Sequence, residues 1–404
     1  MSKRSNHLHT YRLKNLWQVV ALFLKKQLCI LIAIFPAVVL GFACSAVAFA
    51  ETESLSLSAE AAVVYCVNTG QTLYSHNGEQ QMAMASTTKI MTALLTLEEA
   101  SQNDKVVTIT EEMIAVEGSS MGLKAGDQLP LSALAAGMLT VSGNDAANAA
   151  AIAIDGTTEQ FARRMNERAA RLEMAHTHFV TPSGLDDAAH YSTASDMAKL
   201  GAAAIQTESF RALCSQTAVQ VSFVSPQKTV TLTNHNRLLR LYEGCIGMKT
   251  GFTKKAGRCL VSAAERNGVL LVVVTLNAPD DWNDHIALLD YGFSKVQPME
   301  FPALPERFSV PVVGGTSEQV LAVAGSLTEH PLVEIGQQPE AHVQLPRFLY
   351  APVQQGAVVG KVVYTVDGNT VAEAPLLAEE VVAPAEIKRT FWQSALWWFI
   401  KVFS

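Results

Sequence analysis

Three short motifs in this 404-residue chain carry side chains whose types and spacing suit acyl transfer: Ser86-Thr87-Thr88-Lys89, Ser142-Gly143-Asn144 and Lys249-Thr250-Gly251. A serine hydroxyl is a weak nucleophile until a base removes its proton. Ser86 opens a helical pattern, so Lys89 stands one turn later on the same face, where its amine reaches the hydroxyl. The helix start also favours the negative charge that develops during attack. Lys89 acts as a base only when neutral, a state favoured by burial and by a second cation nearby, such as Lys249. Read alone, Ser86 and Lys89 serve equally well as a helix cap and a surface lysine. Alone, Ser142-Gly143-Asn144 is a turn with a cap, and Lys249 a solvated strand charge. Gly251 is odd inside a strand pattern and signals close backbone approach of a ligand. The chain supplies decoys: Ser225-Pro226-Gln227-Lys228 and Ser101-Gln102-Asn103 match the same short patterns. Pro226 places the first in a turn between strands, with Ser225 and Lys228 solvated.

The elements that must position these residues follow from periodicity. Apolar runs at 61–67 and 71–74, joined across Asn68-Thr69-Gly70, predict a hairpin. Helical patterns cover 86–100, 144–154 and 158–172, and a second hairpin pairs 219–224 with 229–233 across a Ser-Pro turn. Strands are expected at 247–251, 258–264 and 269–276, then a helix over 284–293. The mixture predicts an α+β unit over 57–294, an antiparallel sheet covered by helices with a helical subdomain. From 297 to 383 the texture changes to short apolar runs cut by Pro and Gly, at 308–313, 320–324, 342–345 and 358–366, a small all-β domain. Ala383-Pro384-Ala385 is a linker, and a distinct tail occupies 387–404.

The first 50 residues hold six of the 30 Lys/Arg and none of the 37 Asp/Glu. Their uncharged run from Leu28 to Ala50 ends in Ala48-Phe49-Ala50, the small-x-small pattern cleaved from a signal peptide, so residues 1–50 predict export. An uncleaved anchor is the alternative, because the run is long enough to span a bilayer. Without those six cations the remainder is strongly acidic, which argues against nucleic acid as a partner. At 49% apolar and 7% aromatic the composition fits a globular enzyme and is too polar for a polytopic membrane protein. Cys66, Cys214, Cys245 and Cys259 lie beyond the leader, in an oxidising compartment, at spacings unlike a zinc site. His176-Thr177-His178 is an isolated pair, and no metal or cofactor is assigned. Cys245 and Cys259 lie equally far from Phe252. A strand turning back at that midpoint would set them opposite each other, so a disulfide and a pair of buried thiols are both open.

Together the three motifs resemble those of the penicillin-binding D-alanyl-D-alanine carboxypeptidases. The likeness continues through Glu117-Gly118-Ser119-Ser120, Lys124-Ala125-Gly126-Asp127, Asn144-Asp145-Ala146-Ala147-Asn148, Thr181-Pro182-Ser183-Gly184-Leu185 and Phe252-Thr253. It implies a β-lactamase/transpeptidase-like fold, peptidoglycan stem peptides as substrate and β-lactams as covalent ligands. By the same resemblance, Ser86 attacks the penultimate D-Ala carbonyl and Lys89 takes its proton. Ser142 and Lys249 return a proton to the departing D-Ala, Asn144 holds a substrate amide, and Thr250 with Lys249 binds the terminal carboxylate. The N–H groups of Ser86 and Phe252 form the oxyanion hole beside Gly251. A polar residue replaces Phe252 in some members of the family, which bears on substrate preference.

On a helical tail, Ile387, Phe391, Ala395, Trp398 and Val402 fall on one side, with Arg389, Thr390, Gln393, Lys401 and Ser404 largely opposite. Too short to span a bilayer, the tail suits an in-plane anchor on the outer face of the cytoplasmic membrane. Two other functions compete. A class A β-lactamase shares the motifs but needs a deacylating glutamate, and no Glu-x-x-Leu-Asn lies between Asn144 and Lys249. A non-catalytic wall-binding scaffold would not need Ser86, Lys89 and Lys249 intact.

Overall fold

The Asn68-Thr69-Gly70 signal is answered by strands β1 (Ala61–Cys66) and β2 (Gln71–His76), paired antiparallel in the computed structural model, which describes residues 55–327, 331–386 and 391–403. Gly70 takes φ 70° there, a conformation that costs glycine nothing. β3 (Ala218–Phe223) and β4 (Lys228–Thr233) form a separate hairpin with Ser225 and Pro226 in its turn. β5 (Cys245–Thr253), β6 (Gly257–Arg266) and β7 (Val269–Leu276) run consecutively antiparallel. β1 returns to pair with β7, giving the sheet order β2-β1-β7-β6-β5. All eight residues of β7 are buried, which explains why its sequence is a continuous apolar run rather than an alternation: helices cover both faces.

The longer helices of this unit are α1 (Lys89–Gln102), α2 (Leu131–Thr140), α3 (Asn144–Asp155), α4 (Thr158–Arg171), α5 (Ala194–Ile205) and α6 (Asp281–Phe293). α5 and α6 both pack on β7, and α1 joins α2 and α3 in the helical layer. Gly201 lets α5 approach closely, since a Cβ there would sit 2.8 Å from Val272 Cγ1. In α1 every residue from Lys89 to Leu97 is buried, so the lysine of the first motif enters the core rather than solvent. Alanines 146, 147, 149, 150 and 151 on α3 are wholly buried, and their small size permits close packing with neighbouring helices.

A second hydrophobic core gathers Val310, Val320, Ala322, Val362 and Leu376, all at 0% exposure. It belongs to a sheet of β8 (Phe308–Val313), β9 (Gln319–Ala324), β10 (Glu340–Gln344), β11 (Leu349–Tyr350), β12 (Val358–Val366) and β13 (Asn369–Ala378), ordered β10-β12-β13-β9-β8-β11. β8 alternates buried and exposed residues throughout, as a strand covered on one face should. The strand expected at 342–345 starts two residues earlier and stops one sooner. Helix α7 (Phe391–Phe403) follows, with Trp392, Leu396, Trp398, Phe399, Ile400 and Val402 each more than half exposed. Its exposed apolar stripe is therefore broader than the one side expected, though Lys401 lies away from it. The proposed leader, 1–50, and Ile387, Arg389, Thr390 and Ser404 of the tail lie outside the described residues.

The register of β5 against β6 corrects the cysteine geometry. β5 continues past Phe252 to Thr253, which faces Gly257 across the turn. Cys259 consequently faces Gly251, and Cys245 faces Ala264. Both thiols are free and no bridge joins them. The turn lies about three residues later than the midpoint the spacing suggested, a shift that pattern reading does not resolve. Burial pushes the Cys259 thiol up to about 12 and that of Cys245 to about 11.

Candidate active site

Ala85 adopts φ 47°, in the left-handed region that a side chain disfavours, and so swings the chain into a 3-10 turn over Ala85–Thr88. Ser86 therefore stands in that tight turn rather than at the first turn of an α-helix, and α1 begins at Lys89. Lys89 Nζ lies 2.9 Å from Ser86 Oγ, 2.6 Å from Asn144 Oδ1 and 2.6 Å from the Ser183 carbonyl oxygen. Burial, then the charge of Lys249, holds its pKa well below the usual lysine value, against the opposing pull of Asp145. Asn144 Oδ1 and Ser183 O can only accept, so they take the two hydrogens of a neutral amine. That leaves the lone pair for the Ser86 hydroxyl.

Ser142-Gly143-Asn144 leads from the end of α2 into α3, whose first residue is Asn144, with Ser142 buried and at φ 61°. Gly143 is sterically required, because a Cβ would lie 2.7 Å from Asp145 Oδ1 and 3.0 Å from Met121 N. Asn144 has both ends of its amide committed inside the protein, since Nδ2 donates at 2.6 Å to the Glu117 carbonyl. Its side chain thus fixes Lys89 through Oδ1 and the Glu117 carbonyl through one Nδ2 hydrogen. Asp145 accepts from Ser120 Oγ and from the N–H groups of Met121, Gly122 and Leu123, tying the 117–123 loop to this corner.

Lys249 on β5 is buried, its Nζ donating at 2.7 Å to the Thr250 carbonyl. Burial lowers its pKa to about 7. Gly251 does mark a close approach, but the approaching group is the protein itself. A Cβ at Gly251 would sit 3.0 Å from Thr87 N and 3.1 Å from Ser86 N, so glycine lets β5 lie flat against the turn bearing the serine. Phe252 is 65% exposed, its backbone on the strand and its ring in the open.

A cleft of about 320 Å³ is lined by Ser86, Ser142, Thr250, Gly251 and Phe252, while Lys89, Asn144 and Lys249 stand behind its wall. Ser119, His235, Arg258, Asp281 and Trp282 also line it. Of these only Ser119 falls in a segment that carries the family resemblance, and Arg258 only opens an expected strand. Arg258 grips Asp281 Oδ1 through Nε and Nη2 at 3.0 and 2.9 Å and lies 5.7 Å from the Trp282 ring. Residues 23 positions apart carry no local signal of this pairing. A larger hollow of about 410 Å³ beside Asn68, Pro331 and Asp367 contains none of the motif residues. The decoys stay apart from the cleft. Lys228 is not simply solvated as expected: its ammonium lies 3.5 Å from buried Asp127 and 4.1 Å from the Phe223 ring centroid.

Residues 47–280 match the family model described as D-alanyl-D-alanine carboxypeptidase, and 309–383 match the C-terminal domain of penicillin-binding protein 5. The chain is 32% identical to the D-alanyl-D-alanine carboxypeptidase DacC of Escherichia coli, over 84% of this chain and 88% of that protein. Identity to DacF of Bacillus subtilis is 30%, over 81% and 87%. Among solved structures, penicillin-binding protein 5 from Haemophilus influenzae superposes with a TM-score of 0.59 at 31% identity, covering 81% of this chain and 98% of that one. A C-terminal β domain of this kind is what the β-lactamase alternative gave no reason to expect. Motifs, cleft and both matched segments agree: the chain belongs to the D-alanyl-D-alanine carboxypeptidase family, the serine peptidases among the low-molecular-mass penicillin-binding proteins.

Proposed function

We propose that Ser86, Lys89, Ser142 and Lys249 carry out the family's hydrolysis of the terminal D-Ala-D-Ala bond of peptidoglycan stem peptides. The observation that carries this reading is the buried Lys89 amine, with two pure acceptors on its hydrogens and the Ser86 hydroxyl on its third position. Ser86 Oγ attacks the penultimate D-Ala carbonyl while its proton passes to the Lys89 lone pair. The N–H groups of Ser86 and Phe252, brought near by Gly251, receive the oxyanion. Collapse of the tetrahedral intermediate breaks the peptide bond; the departing D-Ala amine takes a proton from Lys249 through Ser142, and Lys89 passes the Ser86 proton along the same relay to Lys249, so that Lys89 is neutral again and Lys249 charged. Thr250 and the Lys249 ammonium hold the terminal carboxylate. Water, deprotonated by Lys89, then cleaves the acyl-enzyme and regenerates Ser86. A penicillin enters the same path and stops at the acyl-enzyme.

We also propose that the chain is exported and rests on the outer face of the cytoplasmic membrane. Support comes from the basic-then-apolar leader and from the exposed apolar stripe of α7. Among the described residues, no helix is long and apolar enough to cross a membrane. In-plane binding is the mode that fits.

Labelling with a fluorescent penicillin, followed by mapping of the modified peptide, tests the chemistry. Ser86→Ala should lose both label and D-Ala release, and Ser225→Ala should lose neither. Stoichiometric label on the Ser86 variant would refute the assignment. Truncation after Ala385 should leave an active enzyme that no longer sediments with membranes. Continued sedimentation would refute the α7 anchor.

A further inference from the structure

Lys89 is positioned partly by a segment with no place in the three motifs. Its acceptor, the Ser183 carbonyl, lies on the Thr181-Pro182-Ser183-Gly184 loop, which folds against the turn that carries Ser86. Thr92 Oγ1 donates at 2.6 Å to the Pro182 carbonyl, and so secures the middle of the loop to α1. The start of the loop is held by buried His190. Its Nδ1 accepts from Val180 N at 2.9 Å and from Thr181 N at 3.3 Å. Its Nε2 lies 2.8 Å from Thr88 Oγ1, in the residue next to Lys89.

We propose that His190 is a positioning residue of the reaction: as the neutral Nε2–H tautomer it latches the Val180–Thr181 backbone to Thr88, holding the Ser183 carbonyl on Lys89. This inference rests on the acyl-transfer reading above and adds a residue to it.

The tautomer follows from the partners. Two backbone N–H groups point at Nδ1, so that nitrogen carries no proton. The single proton of the neutral ring is then on Nε2, where it donates to Thr88 Oγ1. Thr88 is free for this task, because at the start of α1 its side chain caps no backbone N–H. The imidazole thereby has both nitrogens used, as a buried polar group requires.

Protonation breaks the latch. An imidazolium would direct an N–H from Nδ1 at two other N–H donors, and the Val180–Thr181 backbone would have to move away. Asp186 and Asp187 favour the charged ring, while His178 and Lys89 oppose it, and burial outweighs all of them, lowering the pKa to about 4. Phe179 packs edge-on, its centroid 5.8 Å from the imidazole, and supplies no charge. The latch is therefore closed at neutral pH and opens in acid.

The test measures the rate at which a fluorescent penicillin acylates Ser86 in the full-length chain between pH 4 and pH 8. His190→Asn keeps an acceptor near the Nδ1 position, whereas His190→Gln offers only a group near Nε2. At pH 7 the Asn variant, which keeps an acceptor for Val180 and Thr181 but gives up the Thr88 bond, should acylate on the order of 10-fold more slowly than the unsubstituted protein, and the Gln variant, which leaves both N–H donors unpaired, on the order of 100-fold more slowly. In acid the unsubstituted protein loses activity through protonation of both Lys89 and His190, so as pH falls to 4 its log-rate slope rises above that of His190→Asn by about half a unit. His190→Asn should keep a slope of about one. Equal rates for Asn and Gln variants, or equal slopes with and without His190, would overturn the latch. Should the histidine variants fail to fold, Thr88→Val removes the hydroxyl at nearly constant shape. It should slow acylation by a similar factor, and an unchanged rate would overturn the proposal. Absence of label on the unsubstituted chain would overturn the acyl-transfer reading itself, and the latch with it.

Discussion

Replacing Asn144 by Asp changes one atom at the heart of the site and should abolish the base. Asn144 Oδ1 lies 2.6 Å from Lys89 Nζ. A carboxylate at that distance interacts with an ammonium by about 6 kcal/mol at an effective dielectric constant near 20. Each 1.36 kcal/mol is a factor of ten in protonation, so the ammonium is favoured by about four powers of ten relative to the asparagine protein. An ammonium has no lone pair for the Ser86 proton. If the new carboxyl instead keeps its proton, its O–H donates to the amine and occupies the same lone pair. Acylation at pH 7 should consequently fall by at least about 10³-fold, with activity recovering only at much higher pH. The ionised form also deprives the Glu117 carbonyl of its 2.6 Å donor, a loss of about 1–3 kcal/mol in stability. The assay is the second-order rate of penicillin labelling from pH 6 to pH 10, with thermal unfolding as the check on folding. A folded Asn144→Asp protein that labels within tenfold of the parent at pH 7, with the same pH dependence, would refute the placement of Asn144 on a neutral Lys89.

Other outcomes follow from the same site. Because acylation needs neutral Lys89 and protonated Lys249, the rate should rise as pH passes the lowered Lys89 pKa and fall as it passes about 7, giving a bell; a flat profile from pH 5 to pH 9 argues against these roles. Lys249 has its folded pKa depressed to about 7 from 10.5, so the unfolded chain binds more protons and the protein gains stability as pH climbs between those values. Lys249→Met should therefore be catalytically dead yet more stable at pH 6–7, by roughly 2 kcal/mol, with a flatter stability profile, read by denaturant titration. Gly184→Ala would put a Cβ 2.0 Å from the Ala85 carbonyl at a residue with φ +81°, so it should displace the Ser183 loop and cut acylation on the order of 100-fold. Normal labelling of that variant would show that the loop does not hold Lys89. Under non-reducing conditions, peptide mapping should find Cys245 and Cys259 unbridged, and a Cys245–Cys259 peptide pair would contradict the β5–β6 register.

Local signals in the sequence determined much of this protein. Ser86 and Lys89 one turn apart, Gly70 in a hairpin and the unbroken apolar run of β7 all express short-range geometry or a burial period, so they read directly from the chain. The change in texture after Phe293 likewise separated two hydrophobic cores that the structure keeps distinct. The tertiary structure decided what depends on long-range contact. Whether Lys89 is a surface charge or a buried amine is settled by Asn144 and Ser183, 55 and 94 residues away. Gly251 could be read as a close approach but not as an approach to Ser86 and Thr87, because the partner is remote in sequence. The Arg258–Asp281 pair, the His190 bridge to Thr88 and the facing of Cys259 with Gly251 rather than Cys245 left no periodic trace. Each depends on strand register or loop docking, where a shift of a few residues exchanges every partner while the local pattern stays the same.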